Sequence, residues 1–145
     1  MVLSASESVP KECMGCVCLD RKGRIVAAFP YQFAKRYNQS VSSISSCTFY
    51  TMLKKGPLRK LGDYHSHTFF GNQKVDELAP SDTDMDMPIG MVEVIVSIKR
   101  TNRMSFSIRE SGYRVYGSWR NFRFRIAAFR KTVEGYDKVA LRLRG

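Results

Sequence analysis

Met91 to Ile98 reads Met-Val-Glu-Val-Ile-Val-Ser-Ile, and this run constrains the fold more than any other stretch of the chain. It is strongly apolar and rich in β-branched side chains, which suit a pleated, covered surface. A run of this kind marks a central strand buried on both faces. Other strands gather around it. Met14 to Leu19 and Arg24 to Phe29 read as two strands joined by Asp20-Arg21-Lys22-Gly23, a polar joint with a glycine that signals a hairpin. Met104 to Ile108 and Tyr113 to Tyr116 flank Glu110-Ser111-Gly112, a second hairpin signal. Phe122, Phe124, Ile126 and Ala128 alternate with Arg123, Arg125 and Ala127, as in a half-buried strand.

Helical signals are fewer. Cys47 to Lys55 has Phe49, Met52 and Leu53 at helical spacing, and Gly56-Pro57 stops it. Asp82 to Met87 reads as a short helical turn ended by Pro88-Ile89-Gly90. Pro30 to Ser46 is polar and reads as loop with some short strand content. The expected pattern is a strand-rich mixed sheet with one or two short helices.

Length and composition point to one domain over residues 1–145. A chain of this size buries about 68–70% of its extended surface, enough for a core. Hydrophobic content of 43% and charged content of 26% are those of a globular protein. No apolar run reaches the about 18 residues of a membrane span. The N-terminus lacks the basic and apolar regions of a signal peptide, so the expected location is the cytoplasm. Cys13, Cys16 and Cys18 crowd into one strand, with Cys47 apart. That is a poor disulfide framework and fits reduced thiols packed in a strand. A second zinc site at Cys13-x-x-Cys16 has no partner pair.

The net charge is +11. It concentrates in the last third of the chain and around Lys54, Lys55, Arg59 and Lys60. Nucleic acid is one partner such an excess attracts. No RNA-binding aromatic signature and no helix-turn-helix pattern stands out. A solvated basic face, or one that steers an acidic partner protein, fits better.

The chemistry centres on His65 and His67. They are the only two histidines, and they end the segment Leu58 to His67, which reads as a short strand. Side chains at i and i+2 of a strand share a face, so both imidazoles project together. Two imidazoles and a carboxylate are a usual ligand set for a catalytic zinc. Asp84 is the best third ligand, with Asp82 and Asp86 as competitors. Pro80 favours an extended backbone before it. Ser81 or Asp82 then caps the helical turn, with Asp84 in its first turn.

These residues resemble the JAMM (MPN-plus) metallopeptidase motif, H-x-H followed by S-x-x-D. Here it is His65-Ser66-His67 and Ser81-Asp82-Thr83-Asp84. The family also carries an upstream glutamate beside a hydrophobic strand, a position that Glu12 fits. The resemblance implies one zinc held by His65, His67 and Asp84. It implies Glu12 as general acid/base and Ser81 as the oxyanion donor. It implies a single JAB/MPN-like domain of α/β (α+β) class. That fold is a mixed β-sheet flanked by short helices, related to the cytidine-deaminase-like architecture. It implies cleavage of a peptide or isopeptide bond after the C-terminus of a ubiquitin-like or sulfur-carrier protein. Two departures are Thr68 where the family has proline, and a longer loop from Thr68 to Pro80. The family's leading helix is short or missing, since Met1 to Ser8 holds only one or two turns.

In such a site zinc is a Lewis acid that lowers the pKa of its water to about 7. A nearby carboxylate passes the proton to the leaving amine. The alternatives are a catalytically silent MPN-type scaffold and a nucleic-acid-associated JAB protein using its basic face. Deaminases need H-x-E with a later P-C-x-x-C, and zincins need H-E-x-x-H; neither is present. Phe69 and Phe70 follow the site and either pack the loop down or grip substrate. The C-terminal Leu141-Arg142-Leu143-Arg144-Gly145 resembles the ubiquitin tail. A basic terminal strand is its ordinary role; a product mimic entering a neighbour's groove is the sharper one.

Overall fold

A computed structural model describes residues 1–30, 34–36, 41–43, 59–75, 79–81 and 84–143. The chain begins with helix α1 (Val2–Ser8). Strands β1 (Met14–Leu19) and β2 (Ile25–Pro30) form the first hairpin, as the polar joint from Asp20 to Gly23 predicts. Asp20 closes its turn by accepting the backbone N–H groups of Lys22 and Arg24 through Oδ1. Two short strands follow, β3 (Ala34–Arg36) and β4 (Val41–Ser43). Next come β5 (Arg59–Phe69), β6 (Val92–Ser111), β7 (Arg114–Lys131) and β8 (Tyr136–Val139).

Six strands form one curled sheet in the order β2-β1-β5-β6-β7-β8. Strands β5 and β6 run parallel, and the other neighbours are antiparallel. The apolar run at the start of β6 is central as expected, buried from Val92 to Ile98.

The expected α/β class, a sheet flanked by short helices, is not what forms. The fold is mostly β, and α1 is the helix among the described residues. The physical reasons are local. Asp84 to Met87, the described part of the stretch expected to be helical, forms a turn and no helix; Met85 N–H donates to the Ser81 carbonyl at 3.1 Å, and Pro88 follows. The β-branched and aromatic residues beyond Arg100 extend β6 and β7 into a long hairpin instead. The helix expected over Cys47 to Lys55, and Cys47 itself, lie outside the described residues.

Strand alternation divides the core. One face gathers Val92, Val94, Val96 and Ile98 of β6 with Phe122, Phe124, Ile126 and Ala128 of β7. Tyr64, Val17, Cys13 and Ala5 of α1 complete it. The opposite face packs Ile95, Ala127 and Phe129 under Met85. Burying Met85 is worth about 1.5–3 kcal/mol, and it holds down the turn that carries Asp84. Cys13, Cys16 and Cys18 are buried, Cys13 just before β1 and the other two within it. Leu141 of the C-terminal segment packs on the first core face. Arg142 then donates to the Gly112 carbonyl at 2.8 Å, and Leu143 N–H to Glu110 Oε2 at 2.5 Å. This part of the tail therefore lies on the chain's own β6–β7 hairpin.

Among the described residues no helix is long and apolar enough to cross a membrane.

Candidate metal centre

His65 and His67 share the face of β5 opposite Tyr64 and Ser66. Parallel pairing sets His65 beside Ile95 and Asp63 beside Glu93, so the same face of β6 borders the imidazoles. The two Nε2 atoms face each other at 2.8 Å. Asp84 Oδ1 lies 3.5 Å from His65 Nε2. The donor atoms of the three residues all fall within 4.8 Å of one another. Ligands at about 2.0–2.1 Å from a tetrahedral ion stand about 3.3 Å apart, and the observed spacings straddle that value. Among the described residues, His65, His67 and Asp84 are the group that could hold a metal ion. His65 is buried, whereas the His67 and Asp84 side chains are 25% and 22% exposed. The site therefore opens to solvent on the His67–Asp84 side.

Sequence reasoning misses a fourth residue, Glu93. It is the only charge in the run Met91 to Ile98, and that isolation is the signal that could have found it. It is 4% exposed, and its Oε1 is 2.5 Å from His65 Nδ1. A carboxylate there accepts the Nδ1–H and leaves the Nε2 lone pair free for a metal, an arrangement common behind metal-binding histidines. Glu12 stands in the matching place behind the other ring. It is buried, and its Oε1 lies 3.2 Å from His67 Nδ1. Both imidazoles thus have a buried carboxylate behind them and an Nε2 in front.

Backbone pairing places Glu12. Cys13 N–H donates to Ser66 Oγ, and Ser66 N–H donates to the Cys13 carbonyl, each at 2.8 Å. These bonds fasten the residue after Glu12 to the residue between the histidines.

Burial pulls the His65 imidazolium pKa down. The hydrogen bond and charge of Glu93, aided by Asp84 and Glu12, more than offset this, and the pKa lies above the ordinary histidine value. Burial likewise pushes the Glu93 carboxyl up; His65 opposes the rise, while Asp63 and Asp84 add to it. Both directions describe one pair that retains its shared proton.

Ser81 and Asp84 form a capping box. Asp84 N–H donates to Ser81 Oγ at 3.2 Å, and Ser81 N–H donates to Asp84 Oδ2 at 2.7 Å. The Ser81 hydroxyl also donates to Oδ2 at 2.8 Å. Oδ2 is thereby tied to Ser81, and Oδ1 is left facing the histidines. The structure shows Ser81 as the support of Asp84, with its proton on that carboxylate. Of the competing acids, Asp86 is exposed and Asp82 lies outside the described residues.

The strand runs two residues past His67, and the loop after Phe69 turns at Gly71. Phe70 N–H donates to Gln73 Oε1, and Lys99 Nζ donates to the Gln73 carbonyl. Phe70 stays 40% exposed and is not packed down.

No protein-family model and no curated protein matches this chain.

Proposed function

We propose that this protein is a zinc-dependent hydrolase of peptide or isopeptide bonds. Its substrate is joined through the C-terminus of a ubiquitin-like or sulfur-carrier protein. One observation carries the reading: two Nε2 atoms and Asp84 Oδ1 converge at a half-open position, each imidazole backed by a buried carboxylate. Two imidazoles and a carboxylate suit zinc and leave a coordination position open. The H-x-H and S-x-x-D resemblance selects amide hydrolysis among zinc reactions.

When bound, zinc supplies Lewis acidity and an acidified water. The chain supplies the rest. Glu93 and Glu12 orient His65 and His67. Ser81 keeps Oδ1 of Asp84 aimed at them. The resemblance would give Glu12 the transfer of the water's proton to the leaving amine, a role that requires its carboxylate to leave His67 Nδ1. Phe70, exposed three residues after His67, would contact the substrate's apolar tail.

Elemental analysis of untagged protein tests the metal. About one zinc per chain is expected in the wild type and none in His67→Ala. A wild type that stays metal-free after incubation with zinc removes the proposal. Glu12→Gln separates proton transfer from ring support. At saturating metal zinc is expected to remain, bound about 10–100-fold more weakly, while cleavage of a linear ubiquitin-like fusion falls by at least about 100-fold. Loss of zinc in that variant would leave Glu12 a positioning residue only.

A further inference from the structure

Strand β6 pairs with β5 only as far as Lys99. From Ser105 to Arg120 the chain is a two-stranded ribbon, with Ser105 opposite Arg120 and Ser111 opposite Arg114. Such a ribbon is marginal by itself. This one nevertheless exposes large apolar side chains. Phe106 is 65% exposed, Ile108 58% and Met104 68%. Phe106 stands opposite Trp119, and their rings meet edge to face at 5.4 Å.

The same segment is strongly basic. Between Lys99 and Arg123 there are seven Lys or Arg residues and one acid, Glu110. The Oε2 atom of Glu110 already accepts the Leu143 N–H. The guanidinium of Arg120 lies 5.9 Å from the Trp119 ring, and that of Arg100 lies 5.5 Å from the Phe122 ring. Alternation sets Arg109 and Arg114 on the face opposite Phe106 and Trp119, so the ribbon carries rings on one face and cations on the other, with Arg120 beside the Trp119 ring.

We propose that the distal β6–β7 hairpin binds single-stranded nucleic acid, with Phe106 and Trp119 stacking on bases and arginines along the ribbon meeting phosphates. Exposed rings interleaved with cations are the usual means of holding single strands without sequence preference. A second copy of this chain is disfavoured, because two such ribbons would repel. An acidic protein satisfies the charge but offers no regular array of planar groups to the two rings. This inference stands apart from the proposed hydrolase activity and survives its failure.

Trp119 is the only tryptophan of the chain, so its fluorescence reports on this surface alone. We would titrate the full chain with oligo(dT) and oligo(U) at about 50 and about 200 mM salt. Saturable quenching by either oligonucleotide is expected. Four phosphate contacts would weaken binding about 50-fold across that salt range. Phe106→Ala, at an exposed position, should keep the wild-type far-ultraviolet circular dichroism and bind at least about 5-fold more weakly. The double variant Arg103→Glu/Arg109→Glu should flatten the salt dependence. Quenching by neither oligonucleotide, or binding indifferent to both variants, overturns the proposal. So does polyglutamate that quenches as strongly as the oligonucleotides, which would assign the ribbon to an acidic protein.

Discussion

Glu93→Gln is expected to weaken zinc binding by about 10–100-fold, the usual cost of losing the carboxylate behind a metal-binding histidine. The substitution keeps the side-chain shape and an oxygen acceptor for His65 Nδ1. It removes the charge that makes Nε2 a strong ligand. The pH dependence should move as well. Protons and metal compete for Nε2 of His65. Glu93 holds the imidazolium pKa above its ordinary value, so in the wild type affinity begins to fall at a higher pH than for an ordinary histidine. In Glu93→Gln that support is lost and the pKa drops. The pH at which affinity begins to fall should therefore move lower, even as the limiting affinity above it weakens. Zinc titrations against a competing chelator across a range of pH would read both effects, and an onset that moves upward would refute the assigned role.

The second large effect is structural. Gly62 lies opposite Val92 where β5 and β6 begin to pair. A Cβ at Gly62 would sit 1.6 Å from the Val92 carbonyl oxygen and 2.8 Å from its nitrogen. The clash is with backbone, so no rotamer relieves it. Gly62→Ala should cost more than the about 1–3 kcal/mol of ordinary overpacking. Native stabilities are only about 5–15 kcal/mol, so much of the total is at stake. Urea unfolding should show a midpoint far below wild type, or no cooperative transition. An unchanged midpoint would mean that the two strands do not approach as described. Since β5 carries the histidines and β6 carries Glu93, the variant should lose zinc along with stability.

Much of this was legible in the chain, though from different signals. The β1–β2 hairpin follows from its polar joint at Asp20 to Gly23, the buried start of β6 from its unbroken β-branched run, and the half-buried part of β7 from the period-of-two alternation of Phe122 to Ala128. The same period places His65 and His67 together, and the Ser81–Asp84 spacing marks the capping box. The lack of flanking helices among the described residues was not legible, because a helical pattern over Asp82 to Met87 says nothing of whether a second turn can follow. Only Pro88 and the packing of Met85 decide that. Glu93 escapes for another reason. Its neighbours all point to a buried strand, and its charge makes sense only once β5 lies parallel beside β6. Nor does spacing reveal that the Ser81 proton is spent on Asp84, since that depends on which way a hydroxyl turns.

The parallel pairing of β5 and β6 has a consequence for how the molecule is held. Parallel neighbours cannot be joined by a tight turn, so the chain must leave the sheet after Phe69 and return at Val92. Asp84 lies on that excursion. An ion gripped by His67 and Asp84 would fasten the excursion to the strand it left, as a cross-link does, and would restrict the chain's freedom in the same way. The metal would then be a clasp for the fold as well as a reagent. Chelation should expose the connection between the two strands to proteases before it unfolds the sheet.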